Sequence, residues 1–452
     1  MINRSFPSNW TVATLGEISS YIQRGKSPKY VESSPLAVIN QKCIRWNQLQ
    51  TEHQKYIHPE QIPTWDANRH VRQGDILWNS TGTGTVGRAY LVKSTDCQPP
   101  KVVDSHVTIV RPNPEVDSRI IFYWIKGPNV QNRIEELCDG STNQVELSRT
   151  AISEIKIPLP PINEQRRIAD KLDRVLARVD ATNEHLSRVA PLIKRFRQSV
   201  LAAAVSGRLT DACALPSQRW KKAKLGDLGT LARGKSKHRP RNDPSLYGGR
   251  YPFIQTGDIA NSNGLITHHS RTYNDKGLAQ SKLWPKGTLC ITIAANIADT
   301  AILDYDACFP DSVVGFLVDE STCISKFVKY SIDVIKEDIE RLAPATAQKN
   351  INLALLSEMP IRIPSVEEQS EIVRRVEKLF AFADRLEERL SQAQAAVQKL
   401  TPALLAKAFR GELVPQDPND EPASELLKRL QENRTESTKP SRARKPRARK
   451  SS

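Results

Sequence analysis

The stretch GSTNQVELSRTAISEIKIPLPPINEQRRI, residues 140–168, decides the fold, because the chain writes it twice. Its partner is PATAQKNINLALLSEMPIRIPSVEEQSEI, residues 344–372, an offset of 204 residues from 140 to 344. The offset pairs Thr142 with Thr346, Gln144 with Gln348, Pro160 with Pro364, Glu164 with Glu368 and Gln165 with Gln369. It also pairs Gly207 with Gly411. Working outward, WTVATLGEI from Trp10 resembles WKKAKLGDL from Trp220, and Arg24-Gly25-Lys26-Ser27 resembles Arg233-Gly234-Lys235-Ser236. A repeat this long means one structural unit used twice, each unit a globular part followed by a helix.

The helix is read from apolar spacing. Downstream of each quoted stretch, residues recur alternately every four and three positions: Ile168, Leu172, Val175, Val179, Thr182, Leu186, Val189, Ile193, Phe196, Val200 and Ala203. The second series is Ile372, Val376, Leu379, Ala383, Leu386, Leu390, Ala393, Val397, Leu400, Leu404 and Lys407. A period of 3.5 held for five heptads predicts a coiled-coil seam. Pro160-Pro161 and Pro364 precede the helices, Ser365 with Glu368 forms a capping box, and Gly207 and Gly411 act as left-handed C-caps. Pro191 and Pro402 fall inside the runs, off the seam, and predict kinks. At ~1.5 Å per residue each helix is about 65 Å long. One apolar stripe per helix is unstable in water, so the two stripes are expected to bury each other. Because a globular unit feeds the start of each helix, antiparallel pairing is expected, with a pseudo-twofold axis and a globular unit at each end.

The reading is an α+β protein with a pseudo-twofold internal repeat. The domains are 1–160 (mixed α/β), 161–212 (helix), 213–364 (mixed α/β), 365–415 (helix) and 416–452 (a basic, disordered tail ending KPSRARKPRARKSS). Runs such as Ile76-Leu77-Trp78, Val107-Thr108-Ile109-Val110 and Leu289-Cys290-Ile291-Thr292-Ile293 read as strands; Ile120–Lys126 and Lys326–Leu342 read as helices.

Composition bounds the function. Of 452 residues, 66 are Lys or Arg and 50 Asp or Glu, a net charge of +16 that argues for a polyanionic partner, most simply nucleic acid. The N-terminus has no apolar signal core, and no stretch is apolar enough over bilayer length to span one. Seven cysteines, with no C-x-x-C pair, fit a reducing cytoplasm and argue against a disulfide framework or structural zinc. Gly82-Thr83-Gly84-Thr85-Val86-Gly87 matches G-x-G-x-x-G, but strand-like Arg88-Ala89-Tyr90-Leu91-Val92 follows where a dinucleotide site needs a helix, so it reads as a turn. There is no G-x-x-x-x-G-K-[ST] loop, Asn113-Pro114-Glu115-Val116 lacks the aromatic residue that stacks a flipped base, and His268-His269 has no ligand partners nearby. Asp104-Ser105 and Asp311-Ser312 recur without a following D/E-x-K, so both aspartates read as structural or DNA-facing. No metal site and no catalytic residue is expected.

Lys and Arg suit phosphates, while Arg, Asn and Gln can bond base edges. On that chemistry the candidate DNA contacts in the first half are Arg24, Lys26, Lys29, Tyr30, Gln41, Lys42, Asn79, Ser80, Thr81, Arg88, Asn143 and Gln144. In the second half they are Arg233, Lys235, Lys237, His238, Arg239, Arg241, Gln255, Thr256, Gln348, Lys349 and Asn350.

PLPPINEQRRIADKLD at 158–173, KRFRQSVLAAAVSGRLT at 194–210 and LLAKAFRGELVPQDPNDEPASELL at 404–427 resemble the specificity (S) subunits of type I restriction–modification systems, as do W-x-x-x-x-L-G-E/D and RGKS-P. The resemblance implies two target-recognition domains, each reading one half of a split double-stranded DNA target. It implies two methyltransferase (M) and two restriction (R) subunits as partners. S-adenosylmethionine, ATP and Mg2+ would be bound by those partners, with no cofactor on this chain. On the helix length, the half-sites would lie less than about 19 base pairs apart. The extension after Leu427 departs from the family pattern. The competing classes are an enzyme with its own DNA methyltransferase or nuclease activity, and a coiled-coil DNA-binding protein without sequence preference.

Overall fold

A computed structural model describes residues 6–82, 84–139, 145–210, 220–238, 240, 242–294, 297–342 and 351–437. The chain divides into two compact units, residues 1–185 with 393–452 and residues 186–392. The boundary falls within two long helices, Ile162–Val205 and Val366–Ala408. Each unit therefore holds a length of both.

The first unit contains two four-stranded sheets. One runs Ser19–Arg24, Val107–Pro112, Ile76–Asn79, Ala89–Leu91, with every neighbouring pair antiparallel. The other runs Tyr30–Val31, Lys55–Ile57, Ala37–Ile39, Lys101–Val103, the last pair parallel. The second unit repeats the plan. Gly229–Arg233, Val313–Val318, Leu289–Thr292, Thr300–Leu303 and Leu265–Ile266 form five strands, and Arg271–Tyr273, Tyr247–Phe253, Ala307–Cys308 and Leu283–Trp284 form four. Central strand residues alternate between two apolar clusters, Ile76 and Trp78 in one with Leu77 in the other, and Leu289 and Ile291 in one with Cys290 in the other, so these strands are buried on both faces. Mixed α/β domains and two long helices give the α+β architecture expected from the repeat.

A short antiparallel pair leads into each long helix: Thr11–Thr14 with Lys156–Leu159, and Lys221–Lys224 with Pro360–Ile363. The repeated Trp and Glu-Gln residues clamp this junction. Trp10 Nε1 donates to Glu164 Oε2 at 2.9 Å, and Trp220 Nε1 to Glu368 Oε1 at 3.3 Å. Gln165 Nε2 donates to the Pro160 carbonyl at 2.9 Å, while its Oε1 accepts from the Asp117 N–H at 3.0 Å. Gln369 does the same with Pro364 at 3.0 Å and Ile324 at 2.9 Å. Burial pushes the Glu164 carboxyl above its usual range, against the hydrogen bonds from Trp10 and Gln416. The capping-box expectation holds only by half. Ser365 Oγ accepts from the Glu368 N–H at 3.3 Å, but the Glu368 carboxylate turns to Trp220 and to Thr210 Oγ1 at 3.1 Å.

The helices pack on each other within each unit. In the second, Ile193, Ala383 and Leu390 share a cluster, Arg197 pairs with Asp384 and Glu387, and Val200 and Ala204 share a core with Ile372 and Val376. Numbers rise on one helix as they fall on the other, so the pair is antiparallel. In the first unit Ile168, Leu172 and Leu176 share a core with Leu405, Ala408 and Phe409. Of the predicted seam, Ile168, Leu172, Val179, Ile193, Ile372, Val376, Leu390 and Val397 are buried, and Val175, Leu186, Val189, Leu379, Leu386 and Leu404 half-buried. Toward the helix ends the buried positions step one residue on: Leu176 outranks Val175, Ala204 replaces Ala203, Leu405 outranks Leu404, and Leu400 is 45% exposed. A helix of 3.6 residues per turn drifts about 20° per heptad against a 3.5 repeat, and here the ends follow the globular cores rather than a supercoil. Pro191 and Pro402 lie inside the helices at exposed positions, and Gly207 (φ 78) and Gly411 (φ 75) end them in the left-handed region.

The expected disordered tail differs from the structure over 416–437. Ala423–Ser437 is a helix, with Ala423, Leu426 and Leu430 buried in the first unit's core. Arg167 pairs with Asp420 at 2.6 Å, and the Ala423 N–H donates to the Asn9 carbonyl at 3.0 Å. The basic residues from 438 on lie outside the described residues.

Candidate nucleic-acid interface

In the first unit, loops from both sheets meet at one edge. Arg24 ends its strand opposite Thr108. Its guanidinium bonds the Ser105 carbonyl and pairs with Glu146. Ser27 and Ser105 hydroxyls bond at 2.8 Å. The Tyr30 hydroxyl donates to Asp104 Oδ2 at 3.3 Å, whose other oxygen accepts from the His106 N–H at 2.9 Å. Thr81 Oγ1 lies 2.6 Å from His106 Nδ1. Behind these, Asn79 Nδ2 donates to the Gln41 carbonyl at 3.1 Å and Thr85 Oγ1 to Gln41 Oε1 at 3.1 Å. Asn79 Oδ1 is buried with no hydrogen-bond partner among the described residues.

Thus Arg24, Tyr30, Gln41, Asn79 and Thr81, separate in sequence, belong to one hydrogen-bonded network. Asp104 anchors it: the residue is buried, and burial holds its carboxyl above the usual range. Burial and the adjacent Asp104 push the Tyr30 phenol up to about 12, so it stays a neutral donor. Lys26, Lys29 and Lys42 extend the surface as exposed cations. Lys26 Nζ lies 5.8 Å from the Trp65 ring, and the Lys29 N–H donates to Gln61. Arg88 is turned back on its own loop, donating to the Gly84 carbonyl at 2.8 Å. The glycine-rich stretch connects the antiparallel strands Ile76–Asn79 and Ala89–Leu91, with Gly82, Gly84 and Gly87 at positive φ, so it is a hairpin loop as expected.

The second unit keeps the frame with different side chains. Gly234 N–H bonds the Val313 carbonyl as Gly25 N–H bonds that of Val107, and the Ile351 N–H bonds the Ile293 carbonyl as that of Leu147 bonds Ser80. Arg233, Lys235 and Lys237 are exposed, and His238 is held by Asp243 at 2.8 Å. Gln255 opens a short helix, its N–H on Asp258 Oδ2 at 2.8 Å. Asn143, Gln144, Arg239, Arg241, Gln348, Lys349 and Asn350 lie outside the described residues. Sequence reasoning missed His106 and Glu146. The Asp104-Ser105-His106 run was the available signal for the first; nothing local marked the second.

Among the described residues no group of three or more His, Cys, Asp or Glu is placed to hold a metal ion, and no helix is long and apolar enough to cross a membrane.

Two mixed α/β units with loop-borne polar surfaces, each tied to antiparallel long helices, describe a DNA-specificity protein. The chain belongs to the type I restriction modification DNA specificity domain family, whose profile matches it twice, over residues 7–190 and 217–393. It is similar to the StySPI specificity subunit of Salmonella potsdam, with 27% identity over 432 residues, 91% of this chain and 90% of the relative. The EcoBI specificity subunit of Escherichia coli is 30% identical over 393 residues, 76% of this chain and 80% of the relative. Among solved structures, a chain from a type I restriction–modification assembly superposes with a TM-score of 0.72 at 19% identity, covering 90% of this chain and 100% of that one. The HsdS subunit from Thermoanaerobacter tengcongensis gives 0.59 at 19%, covering 91% and 99%. The fold is shared with both.

Proposed function

We propose that this chain is the sequence-reading subunit of a type I restriction–modification complex, each unit recognising one half of a split duplex target. It contributes recognition, not catalysis. Methyltransferase and restriction subunits, two of each, dock on it, and they bind the S-adenosylmethionine, ATP and Mg2+ that the chemistry requires. Host DNA places its work in the cytoplasm. The observation that carries this reading is the duplication. Two segments match a DNA-specificity family, and each has its own core and its own Arg-Gly-Lys loop on a common frame with divergent polar side chains. A frame held constant under two different surfaces suits two different base sequences. Exchanging residues 1–160 for those of a relative, then reading the methylated motif in host DNA, tests it. One half of a split motif is expected to change; loss of both halves together contradicts modular reading.

A further inference from the structure

The network in the first unit contains a charge of the wrong sign for a phosphate-binding surface. Glu146 pairs with Arg24, and its side chain is 47% exposed. Its backbone is fixed. Glu146 and Asp139 exchange N–H to carbonyl bonds at 2.9 and 2.8 Å, and the next residue, Leu147, donates to the Ser80 carbonyl at 2.8 Å. Glu146 also bridges to Thr81, which carries the His106 contact. This is a rigid mount, and the carboxylate it presents repels phosphate. The partner left for it on duplex DNA is a base edge that donates.

A carboxylate only accepts hydrogen bonds. In the major groove guanine offers two acceptors, thymine an acceptor and a methyl group, and adenine an acceptor beside its amino group. Cytosine offers its N4 amino group with no acceptor of its own beside it. The Arg24 guanidinium is already committed to the Ser105 carbonyl and to Glu146, so it aims the carboxylate rather than serving a phosphate. The repeat places Asn350, not an acid, at the position matching Glu146.

We infer that Glu146 is a specificity-determining residue of the first unit that reads a cytosine N4 amino group in the major groove, with Arg24 as its positioning residue. This rests on the DNA-reading function proposed above. The test is selection from a random duplex pool by the full chain, followed by affinities for single-base variants at several salt concentrations. Glu146→Gln is expected to reduce preference for cytosine at one position of one half-site by about tenfold or more, and to shift it toward adenine, whose edge glutamine bonds in two places. All other positions and the melting temperature stay unchanged. Arg24→Lys keeps the charge but loses the fork; it is expected to relax the same position without altering the salt slope. Two results overturn the assignment alone: a defined wild-type target retained at every position by Glu146→Gln, or a uniform affinity change across all sequences. A wild-type chain that selects no sequence overturns the DNA-reading function itself.

Discussion

Gly25 and Gly234 show how much of the interface a single missing side chain supports. A Cβ on Gly25 would lie 2.1 Å from the Val103 carbonyl oxygen and 2.2 Å from that of Asp104. On Gly234 it would lie 2.2 Å from the Phe309 oxygen and 2.4 Å from that of Pro310. Backbone cannot yield as a side-chain tip can. Gly25→Ala is therefore expected to destabilise the first unit by about 1–3 kcal/mol, as overpacked sites do. Gly234→Ala should do the same to the second, with chemical denaturation followed by unit-specific probes as the readout. The sequence displayed this Arg-Gly-Lys motif twice but not its reason, because close backbone approach is a long-range contact. The tryptophans and the Glu-Gln pairs were legible in the same limited way: their recurrence is visible along the chain, their mutual hydrogen bonds only across it. Glu146 was illegible, since nothing in a local window distinguishes an acid mounted beside Arg24 from an acid on a solvated loop.

At the scale of the helices, a 3.5 spacing and a 3.6 spacing look alike over two turns and diverge over six. The heptad reading identified both helices, their direction and most of the buried stripe. It misplaced the ends, where packing on the globular cores takes over from helix–helix packing. The distinction is measurable. Leu172 is fully buried, and Leu172→Ala should cost about 2–5 kcal/mol, transfer and cavity terms together. Leu400 sits on the predicted seam but is 45% exposed, and Leu400→Ala should stay within about 0.5 kcal/mol of wild type. Equal losses at both, in paired denaturation curves, would restore the strict heptad seam. The polar loops were legible as chemistry but not as a site. Gln41 and Thr81 are forty residues apart, and only the pairing of strands Ile76–Asn79 and Ala37–Ile39 with their neighbours brings them together.

At the scale of the molecule, the polar and basic character of the last segment predicted disorder, yet three small or aliphatic residues at helical spacing dock its first part. Ending the chain at Pro415 removes Gln416 and Asp420, leaving Glu164 and Arg167 without those partners, and exposes the surface covered by Ala423, Leu426 and Leu430. Hydrogen exchange should then accelerate in residues 10–18 and 162–172 and stay unchanged in residues 220–233. Acceleration in both places would mean the segment supports more than the first unit.

The first unit is assembled from residues 1–185 and 393–452, whereas the second is one uninterrupted stretch, 186–392. A ribosome delivers residues in order, so the second unit has all its parts while the first still waits for its closing helix. Asn9 is made before Ala423, and its carbonyl gains the bond from the Ala423 N–H only once that later residue has emerged. Until then the apolar face of the N-terminal domain is uncovered in the nascent chain. Chaperone demand should thus fall on the half of the protein that is made first and finished last.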